Sequence, residues 1–129
     1  MDEIVIFYPS QSLNDQVARC AREHGQCCFA PAHARSAFEV RKVIQGASMV
    51  IVDATEDHAQ AIQAFSQALA HFGPDRVALY TERMHDGLEL FVRTQGAPLL
   101  FGPLCDAQWN DFLQRSLTLR QPCRLRPAA

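Results

Sequence analysis

No run of apolar residues in this 129-residue chain approaches the ~18–20 needed to cross a bilayer as a helix. The opening Met1-Asp2-Glu3 also lacks the positively charged flank of a signal peptide. Together these absences predict a cytoplasmic protein with no membrane partner. No sign of charge dominates either: 12 Lys and Arg stand against 14 Asp and Glu, a net charge near −2. That balance gives no electrostatic reason to expect nucleic-acid binding. The five cysteines are odd in number and contain no C-x-x-C pair, which fits a reducing compartment better than a disulfide framework. His24, Cys27 and Cys28 offer soft ligands, yet no second ligand pair follows at zinc-finger spacing, and burial in a strand accounts for the cysteines. Internal repeats and low-complexity segments are missing as well.

What is present suits one domain with a real core. Hydrophobic content is 48% and charged content 20%, both ordinary for a globular chain. Short apolar runs alternate with helical patterns. Ile4 to Tyr8 is a continuous apolar run, as expected of a strand covered on both faces. Leu13, Val17, Cys20 and Ala21 then recur at helical spacing until Gly25. Cys27 to Ala30 predicts a short second strand ended by Pro31. A helix is expected from about His33 to Gln45, with Ala37, Val40, Val43 and Ile44 inward and Arg35, Glu39 and Arg41 outward.

Met49 to Asp53 predicts the third strand, and Thr55, Glu56 and Asp57 a helix start in which carboxylates complement the helix dipole. Ile62, Phe65, Leu69 and Phe72 carry that helix to Gly73-Pro74. Val77 to Thr81 is the fourth strand, and Met84, Leu88, Phe91 and Val92 mark a fourth helix closed by Gly96. Leu99 to Phe101 is the fifth strand, and a last helix runs from about Asp106 to Leu119, with Trp109, Phe112, Leu113 and Ser116 on one face. Residues 1–119 thus form the domain. Residues 120–129, basic and broken by prolines, read as a tail or the start of a linker.

Five such units predict an α/β fold: a five-stranded parallel, doubly wound sheet of flavodoxin-like order 2-1-3-4-5, with chemistry at the carboxyl ends of the strands. Those ends carry Asp53, Thr81 and Gly102-Pro103. Three other constellations compete for attention. Asp53, Glu56, Asp57 and His58 have ligand types that suit several divalent ions, but helix capping accounts for Glu56 and Asp57, and no metal is expected. Cys105 precedes the last helix, where a helix N-terminus lowers a thiol pKa; a spectator thiol is the simpler account. The stretch FYPSQSLNDQVA is similar to the phosphate-binding loop of flavodoxins, with Ser10, Ser12 and Asn14 as ligands to an FMN phosphate. It has Leu13 where that loop needs a glycine, and Asp15 would repel the phosphate. A cap formed by Ser12 or Asn14 explains the same residues, and no cofactor is expected.

The stretch CFAPAHARSAFEVRKVIQGASMVIVDA resembles the second strand, second helix and third strand of a response-regulator receiver domain, with Asp53 at the phosphoacceptor position. VALYTE is similar to that family's fourth strand, with Thr81 at its closing Thr or Ser. GAPLLFGPL resembles its Gly-Ala turn, fifth strand and Lys-Pro dipeptide, with Pro103 at the proline. The resemblance covers nearly the whole chain in order and spacing.

It also implies what is missing. The family's acidic pair after the first strand, which holds Mg²⁺, is Pro9-Ser10 here, and its lysine is Gly102. Its activation aromatic falls on Leu99. Phosphoryl transfer to a carboxylate needs a cation to neutralise the phosphoryl oxygens, and a lone Asp supplies too few hard ligands. The resemblance therefore implies a degenerate, or pseudo-, receiver whose residual pocket is Asp53, Thr81, Gly102 and Pro103. The expected function is a non-catalytic, phosphorylation-independent signalling or regulatory interaction module. Its alternatives are an atypical phosphoacceptor using Asp53 and an FMN-binding protein of flavodoxin type. The family's usual partner face implies a protein partner or homodimer through the fourth and fifth helices, with Phe91, Arg93, Leu104, Trp109 and Phe112 as candidate contacts. Packing of the last helix onto the sheet is the other reading of Trp109 and Phe112.

Overall fold

Apolar runs with no polar face can only be strands or helices covered on both sides, and here they are strands. In the computed structural model, which describes residues 2–31, 36–83 and 85–119, five strands form one sheet. They are β1 (Asp2–Phe7), β2 (Gln26–Phe29), β3 (Ala47–Asp53), β4 (Val77–Thr81) and β5 (Leu99–Phe101). All neighbouring pairs are parallel and the order is β2-β1-β3-β4-β5, as the alternation predicts. Every residue of β3 and β4 is buried, because each lies between two other strands and under helices on both faces. The edges are short: four residues in β2 and three in β5, lengths that limit unwanted pairing with another chain.

The helices are α1 (Gln11–Glu23), α2 (Ala37–Ile44), α3 (His58–Phe72), α4 (Asp86–Thr94) and α5 (Asp106–Leu119). Alternation along the strands divides the core in two. Val5, Phe7, Val50, Val52 and Leu79 face a layer that includes Val40, Phe65, Leu88 and Val92 from α2, α3 and α4. Ile4, Ile6, Met49, Ile51 and Tyr80 face Leu13, Val17, Trp109 and Leu113 from α1 and α5. Each fully buried large side chain contributes about 1.5–3 kcal/mol by leaving water. At the end of α3, Gly73 adopts φ 88°, a left-handed value that favours glycine, and donates its N–H to Leu69 O at 2.8 Å.

Three helix starts differ from those expected. The N-cap of α1 is Ser10, whose Oγ accepts the Leu13 N–H at 3.2 Å, so Ser12 and Asn14 lie inside the helix. The described part of the second helix starts at Ala37, not near His33: Ser36 Oγ accepts the Glu39 N–H at 3.1 Å and donates to Glu39 Oε1 at 3.2 Å. The Ser36 hydroxyl thus satisfies one of the free N–H groups of the first turn, and the helix begins there. Asp57 caps α3 by accepting the Gln60 N–H at 3.0 Å, and no acidic residue sits in the helix's first turn. His33, Arg35, Met84 and the tail 120–129 lie outside the described residues.

Candidate functional site

The carboxyl edge of the sheet gathers the expected pocket. Asp53 is the last residue of β3 and pairs in register with Tyr80, while Thr81 ends β4 opposite Phe101. The Ala54 N–H donates to Tyr80 O at 2.8 Å and the Gly102 N–H to Thr81 O at 2.9 Å, so the ladder extends one step beyond each strand. Asp53, Thr81 and Gly102 therefore sit at one edge, as parallel strands require.

Asp53 is only 5% exposed. Its Oδ1 accepts the Thr55 N–H at 2.9 Å. Burial raises its carboxyl above the ordinary value, and the charge of Glu82 adds to the rise, while hydrogen bonds from Thr55 and the Ser10 backbone oppose it. The acid is thus less easily ionised than a free one. Thr81 is fully buried, and its hydroxyl is committed to the following loop: it donates to Arg83 O at 3.0 Å and accepts the Arg83 N–H at 3.1 Å.

Sequence reasoning missed the two residues that shape the site most. Tyr80 packs against Gly102 so closely that a Cβ at position 102 would overlap the phenol ring. The Tyr80 hydroxyl donates to Glu82 Oε2 at 2.6 Å. Burial and the bonded carboxylate both push the phenol's pKa far up, so it stays protonated and keeps donating. Glu82 is tied a second time, its N–H donating to Thr55 Oγ1 at 3.0 Å, which joins the β4–α4 loop to the β3–α3 loop. Where a receiver has a lysine, this site thus has a neutral phenol bonded to a carboxylate.

The Mg²⁺ that the resemblance implies does not fit the residues present. The turn after β1 starts at Tyr8, whose φ of 60° is left-handed, and leads through Pro9 to Ser10, whose hydroxyl is engaged as the α1 cap. One carboxylate, Asp53, remains at the position, already accepting backbone N–H groups. Among the described residues no group of three or more His, Cys, Asp and Glu is arranged to hold a metal ion, which also removes the Asp53–His58 cluster. Pro103 lines a shallow cleft of about 420 Å³ with Ser12, Gln16, Tyr80 and Glu82. Of the three residues likened to a flavodoxin phosphate loop, Ser10 caps α1 and Ser12 and Asn14 lie within its first turns.

The second candidate surface is the far edge, around α4, β5 and α5. Trp109 is 0% exposed, with ring centroids 5.6 Å from Tyr80 and 6.1 Å from Phe112. It fastens α5 to the sheet beneath the pocket and does not reach the surface. Phe112 and Leu104 are half-buried and, with Leu100 and Pro98, line a groove of about 720 Å³ beside the β5 edge. Phe91 is half-buried against Phe65, centroids 6.0 Å apart. Arg93 is exposed and pairs with Glu89 at 2.7 Å. The large apolar side chains most open to water on this edge are Leu90, 66% exposed, and Phe101, 52% exposed. Leu90 falls off the Leu88, Phe91, Val92 stripe, a signal legible in the sequence.

The loop after β5 is held to α1. Gln16 Nε2 donates to Leu104 O at 2.8 Å and to Asp106 Oδ1 at 3.0 Å, and Arg19 forks onto both Asp106 oxygens at 2.8 and 2.9 Å. These bonds, Gln16 first and Arg19 second, hold the Asp106 carboxyl below its usual range.

With this geometry in hand, comparison of the backbone with solved structures is decisive for the fold. A CheY-like response regulator receiver domain protein from Methanospirillum hungatei JF-1 superposes with a TM-score of 0.75 at 14% identity, over 94% of this chain and 97% of that one. The chain has the receiver fold. A response regulator from Thermotoga maritima matches this receiver-like domain with a TM-score of 0.73 at 12% identity, over 92% of this chain and 98% of that one. A putative pilus assembly protein from Burkholderia thailandensis E264 matches with a TM-score of 0.68 at 16% identity, over 92% and 99%. No protein-family model and no curated protein sequence matches the chain.

Proposed function

We propose that this receiver-like domain is a non-catalytic, phosphorylation-independent signalling or regulatory interaction module, acting in the cytoplasm without cofactor or metal. The observation that carries this reading is the contact between Tyr80 and Gly102. A receiver's lysine would stabilise an aspartyl phosphate by its charge, a large term in a low-dielectric site. Here the phenol occupies that space and brings Glu82 with it. A phosphoryl group on Asp53 would add negative charge beside Glu82, with no metal-binding acids at Pro9-Ser10 to offset it. The residual pocket of Asp53, Thr81, Gly102 and Pro103 then serves as a fixed structural corner.

The working surface on this reading is the α4–β5–α5 edge, and the partner is a protein or a second copy of the chain. Leu90 and Phe101 supply exposed apolar area there, and the groove of Leu104 and Phe112 lies beside them. The likeness to a putative pilus assembly protein supports a receiver fold used in an assembly.

Incubation with acetyl phosphate and Mg²⁺ followed by intact-mass measurement tests the proposal. The expected result is no phosphoryl adduct. An adduct present in the wild type and absent in Asp53→Asn would overturn it in favour of the atypical phosphoacceptor. A purified protein that is yellow from bound flavin would favour the flavodoxin alternative.

A further inference from the structure

Helix N-termini are usually capped by a hydroxyl, a carboxylate or an amide. The cap of α4 is an imidazole. His85 has extended backbone angles, φ −141° and ψ 123°, and its Nδ1 accepts the Leu88 N–H at 3.3 Å. Gly87 makes room for the ring: a Cβ there would stand 3.1 Å from His85 Cε1 and 3.3 Å from Nδ1. Glycine in a first helical turn weakens the helix, and here its lack of a side chain lets the imidazole fold back over the turn it caps. The ring also meets His58, the first residue of α3, edge-on with centroids 5.4 Å apart.

We propose that His85 is an acid-sensitive cap whose protonation releases the first turn of α4. To accept the Leu88 N–H, Nδ1 must carry its lone pair, which fixes the proton of the neutral ring on Nε2. In the imidazolium both nitrogens are donors, so the cap is lost and two N–H groups face each other. The new charge also lies at the positive end of the helix dipole. Histidine is the side chain that ordinarily makes this change between pH 5 and 8. His58 stands against the ring from α3, and Asp86 and Glu89 follow it in the first turn of α4.

The consequence is local because α4 is short. A nine-residue helix is not stable alone and depends on its cap and on the burial of Leu88 and Val92. Leu88 is both the capped residue and a core residue, so losing the cap loosens one of the two anchors of α4. Leu90 lies between them. This proposal rests on the geometry of α4 and stands whether or not that helix meets a partner.

Amide hydrogen exchange of the full chain, corrected for intrinsic rates, at pH 7.5 and 5.5 tests it. In the wild type, protection at Leu88 should fall about fivefold at the lower pH, the usual worth of one cap. His85→Asn keeps an acceptor that does not titrate and should show equal protection at both pH values. An equal fall in both proteins, or none in the wild type, overturns the proposal. Should His85→Asn fail to fold, nitrogen NMR of the wild-type imidazole decides: a bare Nδ1 at pH 7.5 that gains a proton as Leu88 protection falls supports the cap, and an Nδ1–H tautomer at pH 7.5 overturns it.

Discussion

The ring of Tyr80 fills the space that any side chain at position 102 would need. The aromatic in β4, as it is placed, thus requires a residue without a side chain at position 102.

Substitution at this contact should show coupling. Gly102→Ala is expected to destabilise the fold by about 1–3 kcal/mol, since overpacking forces the phenol or the β5 end to shift. Tyr80→Ala alone should cost about 3–5 kcal/mol, the usual range for emptying a large aromatic from a core. In the double variant the Gly102→Ala penalty should largely vanish, giving a non-additive cycle in urea unfolding. Additive losses would show that the two residues do not compete for space.

Asp53 should make stability depend on pH in a defined direction. Its folded-state carboxyl binds a proton more readily than in the unfolded chain, because burial raises its pKa above the usual value. Well below the ordinary carboxylate value both states are protonated and the group contributes no difference. As pH rises from the ordinary carboxylate value, the unfolded chain ionises first and the folded state loses ground until the raised value is passed. Wild type should thus lose stability relative to Asp53→Asn over that interval and hold a constant difference above it, measured as the difference in urea midpoint. A difference independent of pH contradicts the raised value.

The Ser36 cap offers a cleaner stability measurement. Ser36→Ala removes the acceptor of the Glu39 N–H and the donor to Glu39 Oε1 and should cost about 1 kcal/mol, while Ser36→Thr keeps the hydroxyl and should be nearly neutral. Thermal unfolding of the three proteins distinguishes this from a generic surface effect, in which the alanine and threonine variants would behave alike.

For the partner face, Leu90→Glu and Phe101→Glu are expected to weaken association while leaving the fold intact. Both residues are exposed, and burial of such a side chain in an interface contributes on the order of 1.5–3 kcal/mol. Light scattering over a range of concentrations reads the wild type first. A chain that stays monomeric at high concentration removes the homodimer, and a captured protein partner indifferent to both substitutions moves the surface elsewhere. Arg93→Glu is the milder probe, because Arg93 pairs with Glu89 on its own helix and exposed pairs of this kind contribute little.

Much of this protein was determined by local sequence. Uninterrupted apolar runs such as Ile4–Phe7 and Met49–Val52 specify doubly covered strands, and their alternation with helical periods leaves a parallel sheet of order 2-1-3-4-5 as the natural closure. The positions of Asp53, Thr81 and Gly102 at one edge follow from that closure. The Ser-x-x-Glu signal at Ser36 was also there to be read. What only the tertiary structure decided is which side chains share space. Tyr80 and Gly102 are 22 positions apart, His58 and His85 are 27 apart, and no periodicity relates them. The helical spacing of Trp109 allows packing onto the sheet or exposure, and its contact with Tyr80 decides for the core. Local sequence sets which backbone a segment prefers; the occupation of a given volume depends on contacts between segments, and those exist only once the sheet has formed.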